Sequence, residues 1–192
     1  ILKISLVGFI VAIHWVTFFG AIKYSNVSVA LSCFASTALF TAMMEPLITK
    51  QRFRPLEIFL GICAILGIYL IFTFQEMFVT GIILALISAL LASIFTILNK
   101  DLTVKHDTGT IVFWQITSGA LLLTVLLPFY LDYFPAQTIV PTWMDFIYLI
   151  VLSLLCTTLA FSLSMSALRE LSPFTVNLSI NLEPIYGIIM AF

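Results

Sequence analysis

Long apolar runs broken by short polar intervals dominate this chain of 192 residues. A membrane-spanning helix needs about 20 mostly apolar residues. Seven segments reach or approach that length: 2–22, 27–48, 56–74, 79–98, 110–131, 143–166 and 173–192. The intervals between them are short: Lys23 to Asn26, Thr49 to Pro55, Gln75 to Phe78, Asn99 to Gly109, Asp132 to Thr142, and Ala167 to Ser172. None is long enough for a soluble domain. Strand-length alternation of apolar and polar positions is absent, which argues against a transmembrane barrel. Helices satisfy their own backbone polar groups, which hydrocarbon cannot do for them. The expected fold is therefore all-α, a polytopic transmembrane helix bundle with about seven spans.

Composition agrees with the pattern. Hydrophobic residues make up 62% of the chain and charged residues 9%, against about 45–50% and about 25% in soluble domains. Mean hydropathy is +1.20. The net charge of −1 offers no basic surface for nucleic acid. Charge also sets an orientation. Lys3, Lys50, Arg52, Arg54, Lys100, Lys105 and Arg169 fall on one side of the predicted spans, and only Lys23 falls on the other. The positive-inside rule makes the basic side cytoplasmic. A miscount of one span would scramble that asymmetry. Tyr24, Tyr130, Tyr133, Phe134 and Trp143 stand near predicted span ends, where amphipathic rings settle. The first segment lacks a small-residue cleavage site and is not read as a signal peptide.

Packing and repetition are also legible. Gly81, Ala85, Ala89 and Ser93 recur every fourth position. They predict a small-residue stripe that lets neighbouring backbones approach closely. Ala21-Ile22-Lys23-Tyr24-Ser25-Asn26 leads into the second segment, and Ala167-Leu168-Arg169-Glu170-Leu171-Ser172 leads into the seventh. An odd number of spans separates these similar elements, so they face opposite sides. That is the signature of an inverted-topology repeat, and it accounts for the isolated Lys23.

Polar groups at membrane depth usually face a bundle interior or a wet cavity. In the second segment Cys33, Thr37, Thr41 and Glu45 share one helix face, with Glu45 near the basic side just before Pro46. The seventh carries Thr175, Ser179 and Glu183 in one row and Asn177 and Asn181 in another. Glu183 falls near mid-span and is followed by Pro184, which removes a backbone donor and loosens the helix there. A carboxylate at such a break suits a polar solute or a proton. The first segment contributes His14, with Trp15 and Phe18 beside it. For each of these the plain structural alternative is a side chain bonded within its own helix or to a neighbour.

No metalloprotease, nucleophile-elbow or paired intramembrane aspartate motif is present, and no cofactor is expected. Asp101, His106 and Asp107 read as a solvated loop. Cys33, Cys63 and Cys156 lie in separate apolar runs and read as small buried hydrophobes. The chain opens on Ile1 and closes on Phe192 inside an apolar run, and it is expected to be part of a longer protein.

The stretch from His14 through Lys23, Tyr24, Ser25 and Asn26 to Ala38, and the stretch from Ser166 through Ser172-Pro173 to Glu183-Pro184-Ile185, resemble EamA-type members of the drug/metabolite transporter superfamily. They look like that family's third-to-fourth and eighth-to-ninth helix junctions. Leu60 to Leu70 resembles its fifth helix. The resemblance implies helices 3–9 of a ten-helix fold made of two inverted five-helix repeats. Residues 1–78 would then be the latter part of the first repeat and 79–192 most of the second. Aligning Lys23 with Arg169 places Thr37 opposite Glu183 and Ala38 opposite Pro184. The first copy's Glu-Pro, Glu45-Pro46, is displaced from that register.

The expected function is a secondary transporter, not an enzyme, that moves a small metabolite such as an amino acid or related solute by alternating access. It would sit in a bilayer, as a bacterial inner (plasma) membrane permease, as a monomer or homodimer. The expected lining is His14, Trp15, Phe18, Thr37, Thr41, Asn177, Asn181 and Glu183, with Glu183 as the proton-coupling candidate. A seven-span receptor or membrane-embedded enzyme is the alternative. A carrier for sugar phosphates would call for Lys or Arg within the spans, and there is none at mid-depth.

Overall fold

The structure, a computed structural model, describes residues 1–72, 78–133, 140–183 and 186. Pro184 and most of the final predicted segment lie outside the described residues. In chain order the elements are α1 (Leu2–Tyr24), α2 (Val27–Phe34), α3 (Thr37–Thr49), α4 (Pro55–Phe72), α5 (Val79–Lys105), α6 (Thr108–Tyr133), α7 (Trp143–Val151), a π-helical segment (Leu152–Leu159), α8 (Ala160–Glu170) and α9 (Pro173–Ile180). No strand occurs among the described residues.

Five stretches are long and apolar enough to cross a membrane: Leu2–Tyr24, Val27–Thr49, Val79–Lys105, Thr108–Asp132 and Trp143–Glu170. The described residues therefore show five such stretches where the hydropathy pattern predicts about seven. The two remaining segments correspond to α4, whose described apolar stretch is shorter, and to α9, described over only its first part.

Two of the predicted spans are not uniform α-helices. The second is interrupted at Ala35-Ser36. Here Ser36 Oγ donates to the Cys33 carbonyl at 2.7 Å and Thr37 Oγ1 to that of Phe34 at 2.5 Å. Consecutive hydroxyls bonding back onto the preceding turn compete with the main-chain ladder and bend it. In the π-helical segment Thr157 and Thr158 donate to the carbonyls five residues back, those of Leu152 and Ser153. Such wide turns inside α-helices are often found at functional sites.

The junctions matched in the sequence also match as structure. With Lys23 aligned to Arg169, α1 and α8 end at equivalent residues, Tyr24 and Glu170. Asn26 and Ser172 each cap the next helix by accepting from the backbone N–H of Val29 and Thr175, at 2.9 and 3.1 Å. Both capped helices then run 8 residues. Both break at equivalent pairs, Ala35-Ser36 and Asn181-Leu182. Ser36 N–H reaches the Cys33 carbonyl at 3.1 Å, and Leu182 N–H reaches that of Ser179 at 3.2 Å.

α5 is the central strut, packed against α1, α2, α3, α8 and α9, while α1 also lies along α6. Its small-residue stripe is buried, with Ala85, Ala89 and Ser93 at 0% exposure. A Cβ on Gly81 would lie 2.6 Å from Ser25 Cβ, so the absence of a side chain there lets the end of α1 cross close by. The α1–α6 crossing depends on glycine as well. A Cβ on Gly8 would come within 2.6 Å of the Gln115 carbonyl oxygen. Two amides seal α5 to α6, with Gln115 Nε2 donating to Asn99 Oδ1 at 2.6 Å, both side chains fully buried.

At the basic end, α5 and α8 hold each other's termini. Lys100 Nζ donates to the carbonyls of Leu168, Arg169 and Leu171 at 2.7, 3.1 and 3.1 Å. Arg169 Nη2 in turn donates to the His106 carbonyl at 3.0 Å. Cations suit helix C-termini because the last carbonyls lack intrahelical partners. Asp101, expected in a loop, lies on the last turns of α5, where it pairs with Lys105 at 2.7 Å. Between α5 and α6, Asp107 accepts from both the N–H and the hydroxyl of Thr110 at 2.7 Å. Those bonds hold the Asp107 carboxyl below the usual aspartate range. The cysteine expectation needs correction. Only Cys33 is buried, and Cys63 and Cys156 are exposed on their helices. For Cys63 an exposed position costs a small apolar side chain nothing when the surrounding solvent is lipid, while Cys156 lines the cavity described below.

Candidate functional site

Near the middle of α1, α5 and the α7–α8 span lies a cavity of about 360 Å³. That size falls within the range of about 300–1,000 Å³ usual for small-molecule sites. α1 contributes His14, Trp15, Phe18 and Phe19, α2 contributes Phe34, and α5 contributes Ala92, Phe95 and Thr96. The π-helical segment and α8 supply Leu152, Cys156, Thr157, Ala160, Phe161 and Ser164. Asn177, Ile180 and Glu183 close it from α9 and the turn beyond.

His14 is held against α5 by Ser88. It is 7% exposed, and its Nδ1 lies 3.0 Å from the Ser88 carbonyl oxygen and 2.8 Å from the Ser88 hydroxyl. The hydroxyl donates to the main-chain oxygen of His14 at 3.2 Å. A carbonyl oxygen can only accept, so Nδ1 carries the proton. In the neutral ring, Nε2 is then an acceptor. The imidazole is packed among Phe18, Phe34 and Phe95, with ring centroids at 6.3, 5.4 and 5.3 Å.

Asn177 is fully buried and ties three helices together. Its Nδ2 donates to Thr41 Oγ1 at 2.7 Å, and Thr96 Oγ1 lies 3.3 Å from its Oδ1. Thr96 also donates to the Ala92 carbonyl at 2.8 Å, and Thr157 to that of Leu152 at 2.9 Å. Most hydroxyl protons around the cavity are thus engaged within the protein. Glu183 is exposed at the cavity, where it supplies the single carboxylate of the lining. Among the described residues, no Lys or Arg lines this space.

Of the residues singled out from the sequence, His14, Trp15, Phe18, Asn177 and Glu183 line this one cavity. Thr37 and Thr41 do not. They are buried behind it, Thr41 donating to the Thr37 carbonyl at 2.7 Å while accepting from Asn177. Asn181 stands at the break after α9. Its side-chain oxygen and nitrogen are both buried with no hydrogen-bond partner among the described residues. Sequence reasoning missed Phe34, Phe95, Phe161 and the holding role of Ser88. A phenylalanine in an apolar run carries no mark of which way it faces. Ser88 sits one residue off the small-residue stripe, and only that proximity hinted at an interhelical position. Among the described residues no group of His, Cys, Asp and Glu side chains is placed to hold a metal ion.

A multi-pass helical membrane protein with a solute-sized cavity at mid-span is the class these features define. The chain belongs to the EamA-like transporter family, whose model matches residues 79–192. The match covers α5 to α9, which carry Phe95, Asn177 and Glu183. His14 and its aromatic neighbours on α1 and α2 precede it. No curated protein and no solved structure matches the chain. Family membership makes it an integral membrane protein of a transporter family, with the bilayer and a small solute as its partners.

Proposed function

We propose that the protein is a secondary transporter that moves a small metabolite, such as an amino acid or related solute, through the mid-span cavity by alternating access. The observation that carries this reading is the cavity itself. Its lining draws on the helices of both matched junctions, α1 and α2 and α8 and α9. Elements built alike but inserted in opposite orientations can rock about a site held between them.

On this reading the chain supplies helices 3–9 of a ten-helix, 5+5 inverted repeat. Residues 1–78 belong to the first repeat and 79–192 to the second, and the Lys/Arg-rich side faces the cytoplasm of a bacterial inner membrane. His14, Trp15, Phe18, Asn177 and Glu183 contact the solute. Thr37 and Thr41 brace Asn177 from behind, and Asn181 joins the site when the solute or water satisfies its amide. Glu183 is the proton-coupling group; His14 and Cys156 are the other titratable side chains lining the cavity. Five helices of spanning character among the described residues, aromatic walls and a carboxylate in the lining support this reading, as does the family.

The test is solute flux in proteoliposomes holding the full-length protein under an imposed pH gradient. Glu183→Gln is expected to abolish the dependence of flux on the gradient. Unchanged gradient-driven flux in that variant would sink the coupling role. Absence of any flux across a broad solute panel would sink the transport reading.

A further inference from the structure

We propose that the cavity takes a protonated amine carried on an aromatic or other apolar body, and does not take a free carboxylate or phosphate. The inference rests on the reading of the cavity as the solute site, and within the small metabolites named there it favours amines over amino acids, whose free carboxylate finds no counter-charge in the lining. Three observations carry it. Among the described residues the one formal charge in the lining is the carboxylate of Glu183, and no Lys or Arg stands there to meet an anion. An anion brought into such a place loses its water without gaining a counter-charge.

The second observation is the state of His14. The Ser88 carbonyl holds the proton on Nδ1, so the neutral ring presents Nε2 as a hydrogen-bond acceptor. The lining thus offers an imidazole and a carboxylate as acceptors, each of which a cationic N–H satisfies and a carboxylate does not. The neutral donors that remain, among them the Trp15 indole and the Ser164 hydroxyl, carry no charge with which to compensate an anion.

The third is the wall. Trp15, Phe18, Phe34, Phe95 and Phe161 all face the cavity, and Phe18–Phe34 and Phe95–Phe161 pack at centroid distances of 5.3 and 6.3 Å. Ring faces carry negative potential, attract a cation and accept an apolar body. Carboxylate, acceptor nitrogen and ring faces all favour the same ligand charge.

Three probes that share a phenyl ring and a short tether separate the possibilities: phenethylamine, phenylalanine and 3-phenylpropionate. Binding to the purified protein is measured by titration calorimetry near pH 7, independently of flux. The expected result is that phenethylamine binds at least tenfold more tightly than either carboxylate-bearing probe. Glu183→Gln should weaken it by about tenfold or more, since a charge-assisted bond is lost, while Glu183→Asp restores part of the affinity. Equal or tighter binding of phenylalanine or phenylpropionate overturns the inference, as does no binding of any probe. Phenethylamine binding without flux in proteoliposomes overturns the transport reading alone. Flux of phenylalanine with no amine binding overturns this inference alone.

Discussion

His14 and Ser88 lock α1 to α5 through three contacts. Nδ1 meets the Ser88 carbonyl at 3.0 Å and its hydroxyl at 2.8 Å, and that hydroxyl meets the His14 carbonyl at 3.2 Å. The main-chain acceptor survives any substitution of Ser88, whereas both contacts of Nδ1 depend on the ring of His14. Ser88→Ala should therefore destabilise the protein by about 1 kcal/mol or less. His14→Ala, which empties a space among three phenyl rings, should cost about 2–4 kcal/mol. Thermal unfolding of both variants in detergent checks this, and equal losses would contradict the assignment of the Nδ1 proton to the carbonyl.

The Asn177–Thr41 bond joins α9 to α3 in a region shielded from water, 2.7 Å long and fully buried at both ends. Interhelical hydrogen bonds within membranes average well under 2 kcal/mol because the alternatives also find partners. A double-mutant cycle of Asn177→Ala and Thr41→Ala should yield a coupling of about 0.5–1.5 kcal/mol. A coupling indistinguishable from zero would mean that the two side chains do not meet.

Gly8 and Gly67 should respond to alanine in opposite ways. A Cβ at Gly8 collides with the Gln115 backbone, while one at Gly67 meets nothing within 4 Å. Gly8→Ala should destabilise by about 1–3 kcal/mol, as overpacking does. Gly67→Ala, in an exposed position on α4, should be neutral or stabilise by up to about 1 kcal/mol through helix propensity. Comparison of the two melting temperatures decides the matter.

The cap on α6 is pH-dependent. Asp107 is held below its ordinary value of 3.8 by bonds from the Thr110 hydroxyl and N–H. A depressed folded-state pKa means a contribution that is present above the unfolded value and lost as pH falls through the folded one. Asp107→Ala should therefore lower the melting temperature slightly at neutral pH, and the difference should shrink below about pH 4. A difference that stays constant down to pH 3 would rule out the carboxylate as the cap.

The overall class was legible in the chain because a bilayer demands long apolar helices and leaves their hydropathy unmistakable. The repeated junction was legible for a related reason. A basic residue, a short polar turn and a cap such as Asn26 or Ser172 are local signals that survive in either orientation. His14 and Glu183 stood out because ionisable groups are rare at membrane depth. The interruptions at Ala35-Ser36 and across Leu152–Leu159 were not legible. The same hydroxyls that bend these helices elsewhere bond back without effect, as Thr124 does onto Ala120 within α6.

Hydropathy and charge, then, determined that this chain is a multi-pass helical membrane protein with chemistry concentrated in a few polar residues. Only the tertiary structure decided which of them face the cavity. It placed Asn177 at the lining and Thr41 behind it, although both looked alike as polar positions on apolar helices. It also put Glu183, His14 and six aromatic side chains around one space. The physical reason is that helical periodicity assigns a residue to a face, while the facing helix, which comes from a distant part of the chain, decides whether that face meets a neighbour, lipid or a cavity.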